Sequence, residues 1–191
     1  MKKPGMALLA LAACLHSPLA TSADTVARGK YLVTTSGCHD CHTPWKMGAA
    51  GPEPDMTRML SGHPEKMELP APPQPAGPWV MTAAATNTAW SGPWGVSFTA
   101  NLTPDPDTGL GKWTLRNFRD TIRTGRHMGR GRPVLPPMPI PAYKHFTDED
   151  LEAIWAEVKA NDAIRCAAGS PSSLPCQSRA SFSEPKAVRS A

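Results

Sequence analysis

The residues with the clearest chemical potential lie near the start of the chain, in the segment "GCHDCHTP" at residues 37–44. Cys38 and Cys41 are separated by two residues, and His42 follows directly. Two thiols and an imidazole at this spacing can hold a zinc ion, form a disulfide, or attach a haem whose iron the histidine then ligates. The choice between these sites depends on the other ligands in the chain and on the compartment in which the protein works.

The N-terminus predicts export from the cytoplasm. Two lysines precede a short apolar stretch over residues 6–15, and the small residues Thr-Ser-Ala follow at 21–23, which is typical of a signal peptide over residues 1–23. No segment has the roughly 20 consecutive apolar residues that a transmembrane helix requires. We therefore expect a periplasmic protein without a transmembrane segment. Alternatively, "LAAC" at residues 11–14 is a lipobox, in which case Cys14 is acylated and anchors the protein to a membrane.

The chain has five cysteines. Because Cys14 lies in the predicted leader, two pairs remain, Cys38 with Cys41 and Cys166 with Cys176. The second pair lies in a polar tail, residues 166–191, that is rich in Ser, Ala and Pro and is expected to be partly disordered. A disulfide that closes a small loop is the expected state of this pair in an oxidising compartment, and two free surface thiols are the alternative.

For Cys38 and Cys41, the rest of the sequence favours haem attachment. A zinc site needs about four ligands, and no second Cys-x-x-Cys pair or closely spaced histidine pair follows. A thioredoxin-like redox motif is expected after a strand in an alternating strand and helix pattern, which this sequence lacks. Cys-x-x-Cys-His in an exported protein therefore predicts one covalently bound haem c, with His42 as the proximal ligand of its iron.

A low-spin haem iron needs a second axial ligand, for which Met138 is the best candidate. It lies in "LPPMPIPAY", where prolines on both sides fix the backbone angles and predict a stiff, extended loop ahead of a helix. Such a loop can hold a thioether near the iron at little entropic cost. Met128, His127 or a vacant coordination position are the alternatives.

Three more residues are candidates for contacts with the cofactor. "RTGRHMGRGR", residues 123–132, places four arginines in a glycine-rich loop. From this loop Arg126 is the candidate to pair with haem propionates, while a docking patch for an acidic partner and a solvated basic turn are the alternatives. Trp113 and Asn101 are candidates for propionate or haem-edge contacts, although either could equally fill the core or cap a turn.

Three helices are predicted from apolar spacing and capping residues. Residues 25–36 run into the haem motif, residues 114–124 end at Gly125, and residues 147–160 carry three acidic residues in the first turn and one apolar stripe. The helices leave a thin apolar core, because aromatic residues are only 6% of the chain and prolines number 22. The haem is expected to supply the missing apolar centre.

An insertion rich in Pro, Gly and Met separates the haem motif from the second helix, at about residues 46–96. Its segment "LPAPPQPAGP", residues 69–78, predicts an extended or polyproline-like conformation. Two short runs, residues 79–82 and 96–100, are expected to pair as a small β-hairpin.

Taken together, three stretches resemble the monohaem class I cytochrome c domains of bacteria, especially those similar to the cytochrome subunits of periplasmic and membrane-bound dehydrogenases. The resemblance covers residues 26–160 with the motifs in order. The stretches are "RGKYLVTTSGCHDCHTP", "GPWGVSFTANLTPDPDTGLGKWTLRNFRDTIRTGRHMGRGRPVLPPMP" and "AYKHFTDEDLEAIWAEVK".

This resemblance implies an all-α class I cytochrome c fold over residues 24–165, interrupted by the insertion. It also implies haem attachment through Cys38 and Cys41, axial ligation by His42 and Met138, and packing of the last helix across the first helix. That packing is expected near Gly29 and Tyr31.

Two functions are compatible with these features. The first, which the resemblance implies, is a periplasmic electron carrier that is not itself an enzyme. It shuttles single electrons between a dehydrogenase and a downstream cytochrome or oxidase, either alone or as a subunit of an oxidoreductase complex. The second is a haem enzyme or sensor that binds a small ligand at an open iron position, which a closed His and Met iron disfavours. The formal net charge of +4 gives no indication of a nucleic-acid partner.

Overall fold

The computed structural model describes residues 21–73, 75 and 77–165 of the 191-residue chain. The first 20 residues of the predicted leader, with Cys14, and the predicted disulfide between Cys166 and Cys176 lie outside the described residues. The described part contains five α-helices and five β-strands. In chain order they are α1 (Ser22–Thr35), α2 (Cys38–His42), β1 (Trp45–Gly48), β2 (Gly51–Pro54), β3 (Thr82–Ala83), β4 (Ala89–Gly92), β5 (Gly95–Phe98), α3 (Leu115–Thr124), α4 (Ile140–Tyr143) and α5 (Asp148–Ala160).

The three predicted helices are confirmed as α1, α3 and α5. As expected, α3 ends at Gly125, whose φ of 66° glycine adopts easily, and α5 begins after the N-cap Thr147. Helix α1 begins earlier than predicted, at Ser22, because Thr21 and Asp24 exchange hydrogen bonds in a capping box. This cap extends the helix into the last residues of the predicted leader.

The prediction of an all-α fold is wrong, because the predicted insertion folds into strands. Strands β1 and β2 form an antiparallel pair, and β3, β4 and β5 form a three-stranded antiparallel sheet in that order. Proline and glycine disfavour helix in this region, whereas short strands joined by tight turns tolerate them at edges and turns. The sheets lie between α2 and α3 in the chain. They do not exclude the class I cytochrome c fold, which stays a prediction.

The three-stranded sheet contains a hairpin, but its strands are not the predicted ones. Residues 79–82 do not pair with residues 96–100. Strand β4 lies between them in the sheet, and its Trp90 pairs with Ser97 of β5. The turn of this hairpin closes at Gly95, whose φ of 89° favours glycine. The middle strand, "AWSG", was missed because it lacks β-branched residues and is short.

Helices α1 and α5 cross at very close range, as the resemblance implies. A Cβ atom added to Gly29 of α1 would lie only 2.0 Å from the carbonyl oxygen of Ala153 in α5. Only glycine therefore permits this approach, and the crossing near Gly29 is confirmed. Tyr31, by contrast, is 58% exposed, and the Arg28 guanidinium lies 5.5 Å from the centre of its ring.

The apolar core lies between α1, α3 and α5 and extends to two loop leucines. Its buried members are Leu32, Val33, Leu60, Leu110, Phe118, Ile122, Leu151, Ala153, Ile154 and Val158. The predicted apolar stripe of the last helix thus faces inward. No helix in the described part of the chain is both long enough and apolar enough to cross a membrane.

Candidate functional site

A cavity of about 210 Å³ opens beside this core. Cys38, Cys41, His42 and Met138 all line it, together with residues of α3, α5 and β5. Ligand sites are concave and mostly apolar, so a largely apolar cavity of this size can hold a bound group. The structure therefore brings the four principal sequence candidates together around one space.

The two cysteines and the histidine are positioned by the short helix α2. Gly37, with a φ of 72°, turns the chain out of α1 and into α2. Cys41 and His42 follow Cys38 by three and four positions, a spacing that places them on the same face of a helical turn as Cys38. Neither thiol is in a disulfide.

Both thiols are held in their neutral form. Burial raises the pKa of Cys38 to about 11, because the thiolate is poorly solvated beside the cavity. Burial also raises the pKa of Cys41, and the neighbouring Asp40 carboxylate acts in the same direction. Low-pKa thiolates mark redox-active and metal-binding cysteines, so the pair does not have the electrostatics of a thioredoxin-like site.

His42 is buried, and one of its ring nitrogens is hydrogen-bonded to the backbone. Its ring is only 9% exposed, and Nδ1 lies 2.8 Å from the carbonyl oxygen of Ala100. A carbonyl oxygen only accepts, so Nδ1 donates the proton and Nε2 keeps its lone pair in the neutral ring. Burial lowers the pKa of His42, which favours this neutral form.

Met138 also lines the cavity, in a segment of residues 133–139 that we call the ligand loop. The methionine is half-buried and packs against the core. Helix α4, which the sequence did not predict, begins two residues later. The Tyr143 hydroxyl of α4 donates to the carbonyl oxygen of Ser36, at the end of α1. This contact ties α4, which follows the ligand loop, to the segment that precedes the cysteines.

The alternatives to Met138 differ in their placement. Met128 is not among the residues that line the cavity, and its φ of 51° lies in the left-handed region. His127 does line the cavity, and its ring meets Trp113 edge to face with 4.9 Å between the ring centres. His127 is therefore the better placed of the two alternatives.

The three secondary candidates have three different environments. Trp113 lines the cavity, as expected for a haem-edge contact. Asn101 is fully buried but lies outside the cavity lining, and its amide joins distant loops by donating to Thr108 at 2.9 Å and to the carbonyl oxygen of Ile164 at 2.8 Å. Arg126 also lies outside the lining, where its guanidinium donates to the carbonyl oxygen of Gly131 at 3.0 Å.

Arg132 takes the place that the sequence suggested for Arg126. It lines the cavity from the same arginine-rich loop, and partial desolvation there lowers the pKa of its guanidinium, which stays charged. A bridge between Arg126 and Pro133 folds the loop back on itself, so that arginines six positions apart face different surroundings. The spacing of four arginines in the sequence could not show this reversal.

Strand β5 and the residues after it are cavity residues that the sequence did not indicate. Residues 96–100 line the cavity, so part of the predicted insertion forms its wall. Ser97 of β5 donates a hydrogen bond of 2.6 Å to the carbonyl oxygen of Pro136 in the ligand loop. The sheet is therefore joined directly to the segment that carries Met138.

The donor set and the lining fit a c-type haem. Two neutral thiols can form thioethers, one imidazole keeps Nε2 available, and one methionine thioether belongs to a residue of the same lining. The surrounding side chains are mainly apolar, which suits a porphyrin, and Arg132 offers a positive charge for a carboxylate.

Known proteins similar to this chain belong to dehydrogenases. No family model matches the chain. The cytochrome subunit of fructose dehydrogenase from Gluconobacter japonicus is 28% identical over 151 residues, which are 77% of this chain and 24% of that protein. The cytochrome c subunit of quinone-type alcohol dehydrogenase from Gluconobacter oxydans is 38% identical over 64 residues, which are 34% of this chain and 13% of that protein.

A third relative is a nicotinate dehydrogenase subunit from Pseudomonas putida. It is 31% identical over 83 residues, which are 44% of this chain and 7% of that protein. The aligned part of the chain thus spans no more than 24% of the length of any of these three relatives. At this modest identity and partial coverage, homologues of the chain are cytochrome c subunits of bacterial dehydrogenases.

Proposed function

We propose that the protein is a periplasmic electron carrier with one haem c, attached through Cys38 and Cys41 and ligated by His42 and Met138. It transfers single electrons from a dehydrogenase to a downstream cytochrome or oxidase. The observation that carries this proposal is the convergence of these four residues on one apolar cavity. The similarity to dehydrogenase cytochrome subunits supports a dehydrogenase as the electron donor.

The bound haem supplies a reversible one-electron change at its iron. The residues of the chain set the conditions for that change. The Ala100 carbonyl fixes the tautomer and orientation of His42, so that its Nε2 is ready as a ligand. The neutral Met138 thioether favours reduced iron and blocks access by small ligands, while the apolar walls exclude water. Arg132 provides a positive charge at the lining that would pair with a propionate of the bound haem.

The covalent attachment can be tested first on protein exported to the periplasm. Haem staining after denaturing electrophoresis should show colour that survives extraction with acid and acetone. Replacing both cysteines, Cys38→Ala with Cys41→Ala, should abolish this colour because no thiol remains to form a thioether. Extractable haem in the unmodified protein contradicts the attachment.

The ligation can be tested by comparing Met138→Ala with the matched control Met128→Ala. An alanine cannot ligate iron, so Met138→Ala should lose the weak absorption band at about 695 nm that reports a Met–iron bond. The reduction potential should fall by something on the order of 100 mV, and the ferrous form should bind carbon monoxide. Met128→Ala should retain the parent behaviour. Ready carbon monoxide binding by the unmodified protein instead favours a haem enzyme or sensor.

A further inference from the structure

The ligand loop has an unusual shortage of backbone donors. Four of its seven residues, Pro133, Pro136, Pro137 and Pro139, are prolines and have no amide hydrogen. Such a segment cannot be fixed by a ladder of backbone hydrogen bonds, so its place against the cavity depends on its ends and on side-chain donors.

The ends of the loop are anchored by backbone contacts. At its start, the Val134 amide donates to the carbonyl oxygen of Gly125 at 2.8 Å. After it, the Ile140 amide donates to the carbonyl oxygen of Met138 itself at 2.8 Å, a contact that bends the chain into α4. Neither contact fixes the middle of the loop to the opposite wall of the cavity.

The middle is fixed by Ser97. Its hydroxyl donates to the carbonyl oxygen of Pro136, two residues before Met138, at 2.6 Å. Within the described part of the chain, this is the side-chain hydrogen bond that joins the ligand loop to the sheet. A second acceptor, the carbonyl oxygen of Trp90, is farther from the hydroxyl at 3.4 Å, so the single hydroxyl proton goes to Pro136.

The position of Ser97 is itself well determined. Trp90 lies opposite Ser97 in the β4–β5 pair, and the indole Nε1 of Trp94 donates to the Ser97 oxygen at 3.4 Å. Because Trp94 uses the oxygen as an acceptor, the hydroxyl proton is directed toward the loop. The neighbouring residues Val96 and Phe98 line the cavity, so the strand is part of its wall.

We propose that Ser97 is a positioning residue for Met138: its hydroxyl holds the Pro136 carbonyl and thereby keeps the methionine thioether against the cavity. This inference rests on the proposed function, in which Met138 is an iron ligand. It also gives the β3–β5 sheet of the insertion a function, since the sheet supplies the residue that keeps the distal position closed.

The expected change in carbon monoxide affinity follows from the free energy of one hydrogen bond. The loop exists in a closed form and a rare open form, and carbon monoxide binds ferrous iron only in the open form. Removing one hydrogen bond from the closed form should raise the open fraction about three- to tenfold. The apparent carbon monoxide affinity should rise by the same factor, because it scales with the competent fraction.

The experiment compares Ser97→Val with Ser97→Thr in the purified haem-containing protein. Valine and threonine have nearly the same shape and both suit a strand, but only threonine has a hydroxyl. Ser97→Val should bind carbon monoxide about three- to tenfold more tightly and show a weaker band at about 695 nm. Ser97→Thr should behave like the parent protein. Ser97→Ala, which adds no bulk, replaces Ser97→Val if that variant does not fold.

A control variant and a stability measurement distinguish the positioning of Met138 by Ser97 from a general contribution of Ser97 to stability. Ser91→Ala removes a hydroxyl from the neighbouring strand β4 and should leave carbon monoxide affinity unchanged. Denaturant unfolding is measured on every variant. If Ser97→Val and Ser97→Ala both keep the parent affinity, the inference is overturned, whether or not they unfold more easily.

Failure of this inference is distinguishable from failure of the proposed function. If Met138→Ala opens the iron to carbon monoxide but the Ser97 variants do not, Met138 is the ligand and only the role of Ser97 is overturned. If Met138→Ala changes neither spectrum nor affinity, the ligation proposal falls first and the inference falls with it.

Discussion

The two walls of the cavity are held in place by different forces. The helical wall consists of Val33, Phe118, Ile122, Leu151, Ile154 and Val158, and each of these residues is buried. The loop wall consists of residues 96–100 and 134–140, which are mostly half-buried or exposed. Apolar packing fixes the first wall, whereas the second depends on individual hydrogen bonds such as that from Ser97 to Pro136.

This difference matches the chemistry assigned to each side. The proposed attachment residues on α2 follow directly after α1, whose packing against α5 is tight, so they are held by the rigid part of the molecule. Met138 lies on the wall with fewer apolar contacts. Local opening is easiest where buried apolar contacts are few, so the molecule should open on the Met138 side while the attachment side stays folded.

The largest effect should come from disturbing the helical wall at Gly29. In Gly29→Val the new side chain would overlap the Ala153 carbonyl of α5, because even a Cβ atom would lie 2.0 Å from that oxygen. The helices must separate, and we expect a loss of about 3 kcal/mol or more in the free energy of unfolding. Denaturant unfolding of the haem-containing protein measures this loss.

The matched control for Gly29 is Ala27→Val on the exposed side of the same helix. It adds the same β-branched side chain where nothing is displaced, so it should cost less than about 1 kcal/mol. Equal stabilities of the two variants would show that the close crossing of α1 and α5 is not what holds the helical wall.

The second largest loss of stability is expected at Asn101, a buried residue outside the cavity lining that is hydrogen-bonded to several loop residues. Its side-chain oxygen accepts from the amide and the hydroxyl of Thr103, at 2.9 and 2.7 Å, and its amide donates to Thr108 and Ile164. Asn101→Ala removes these four hydrogen bonds and takes the acceptor away from the buried Thr103 amide, so we expect a loss of about 2–3 kcal/mol in the free energy of unfolding. Thermal unfolding measures the loss.

This variant also tests the sequence prediction that Asn101 contacts the haem. If its function is only to join loops, the absorption spectrum and reduction potential of Asn101→Ala should match the parent while the protein is folded. A changed spectrum in the folded variant would support the cofactor contact. The control on the same segment is Lys112→Ala, which removes an exposed ion pair to Asp107 and should change stability by less than about 1 kcal/mol.

Local signals explain what the sequence could predict. Helix α5 was recognisable because its cap, its acidic first turn and its apolar stripe all lie within 14 neighbouring residues, 147–160. The attachment motif is equally local. The three-stranded sheet was not recognisable, since β4 is four residues long and each strand depends on its neighbours for pairing.

The site contacts that were missed are all long-range in sequence. Ser97 meets Pro136 across 39 positions, and Asn101 meets Ile164 across 63 positions. A hydroxyl or an amide has no pattern that reveals a distant backbone carbonyl as its partner. The candidate residues could therefore be named from the sequence, but the contacts that position them required the fold.

The smallest change in stability is expected at Glu157, a buried carboxylate of α5, the helix that contributes to the helical wall. This residue of α5 is 7% exposed and lies beside Gly29. Burial raises the pKa of its carboxyl above the ordinary value of 4.5, and Lys30 on α1 offsets part of that change. The folded state therefore favours the protonated acid, so the contribution of Glu157 to stability is present at low pH and is lost as the pH rises through its folded-state pKa.

Glu157→Gln should consequently stabilise the protein at neutral pH, by less than about 1 kcal/mol. The advantage over the parent should shrink as the pH falls below the ordinary glutamate value of 4.5, where the parent carboxyl is protonated in both states. Melting temperatures between about pH 4 and pH 8 measure this dependence. Glu152→Gln, on the exposed side of α5, is the control and should leave the melting temperature at neutral pH unchanged. A destabilised Glu157→Gln at neutral pH would mean that the carboxylate is held by its attraction to Lys30, and that even the helical wall depends on a polar contact.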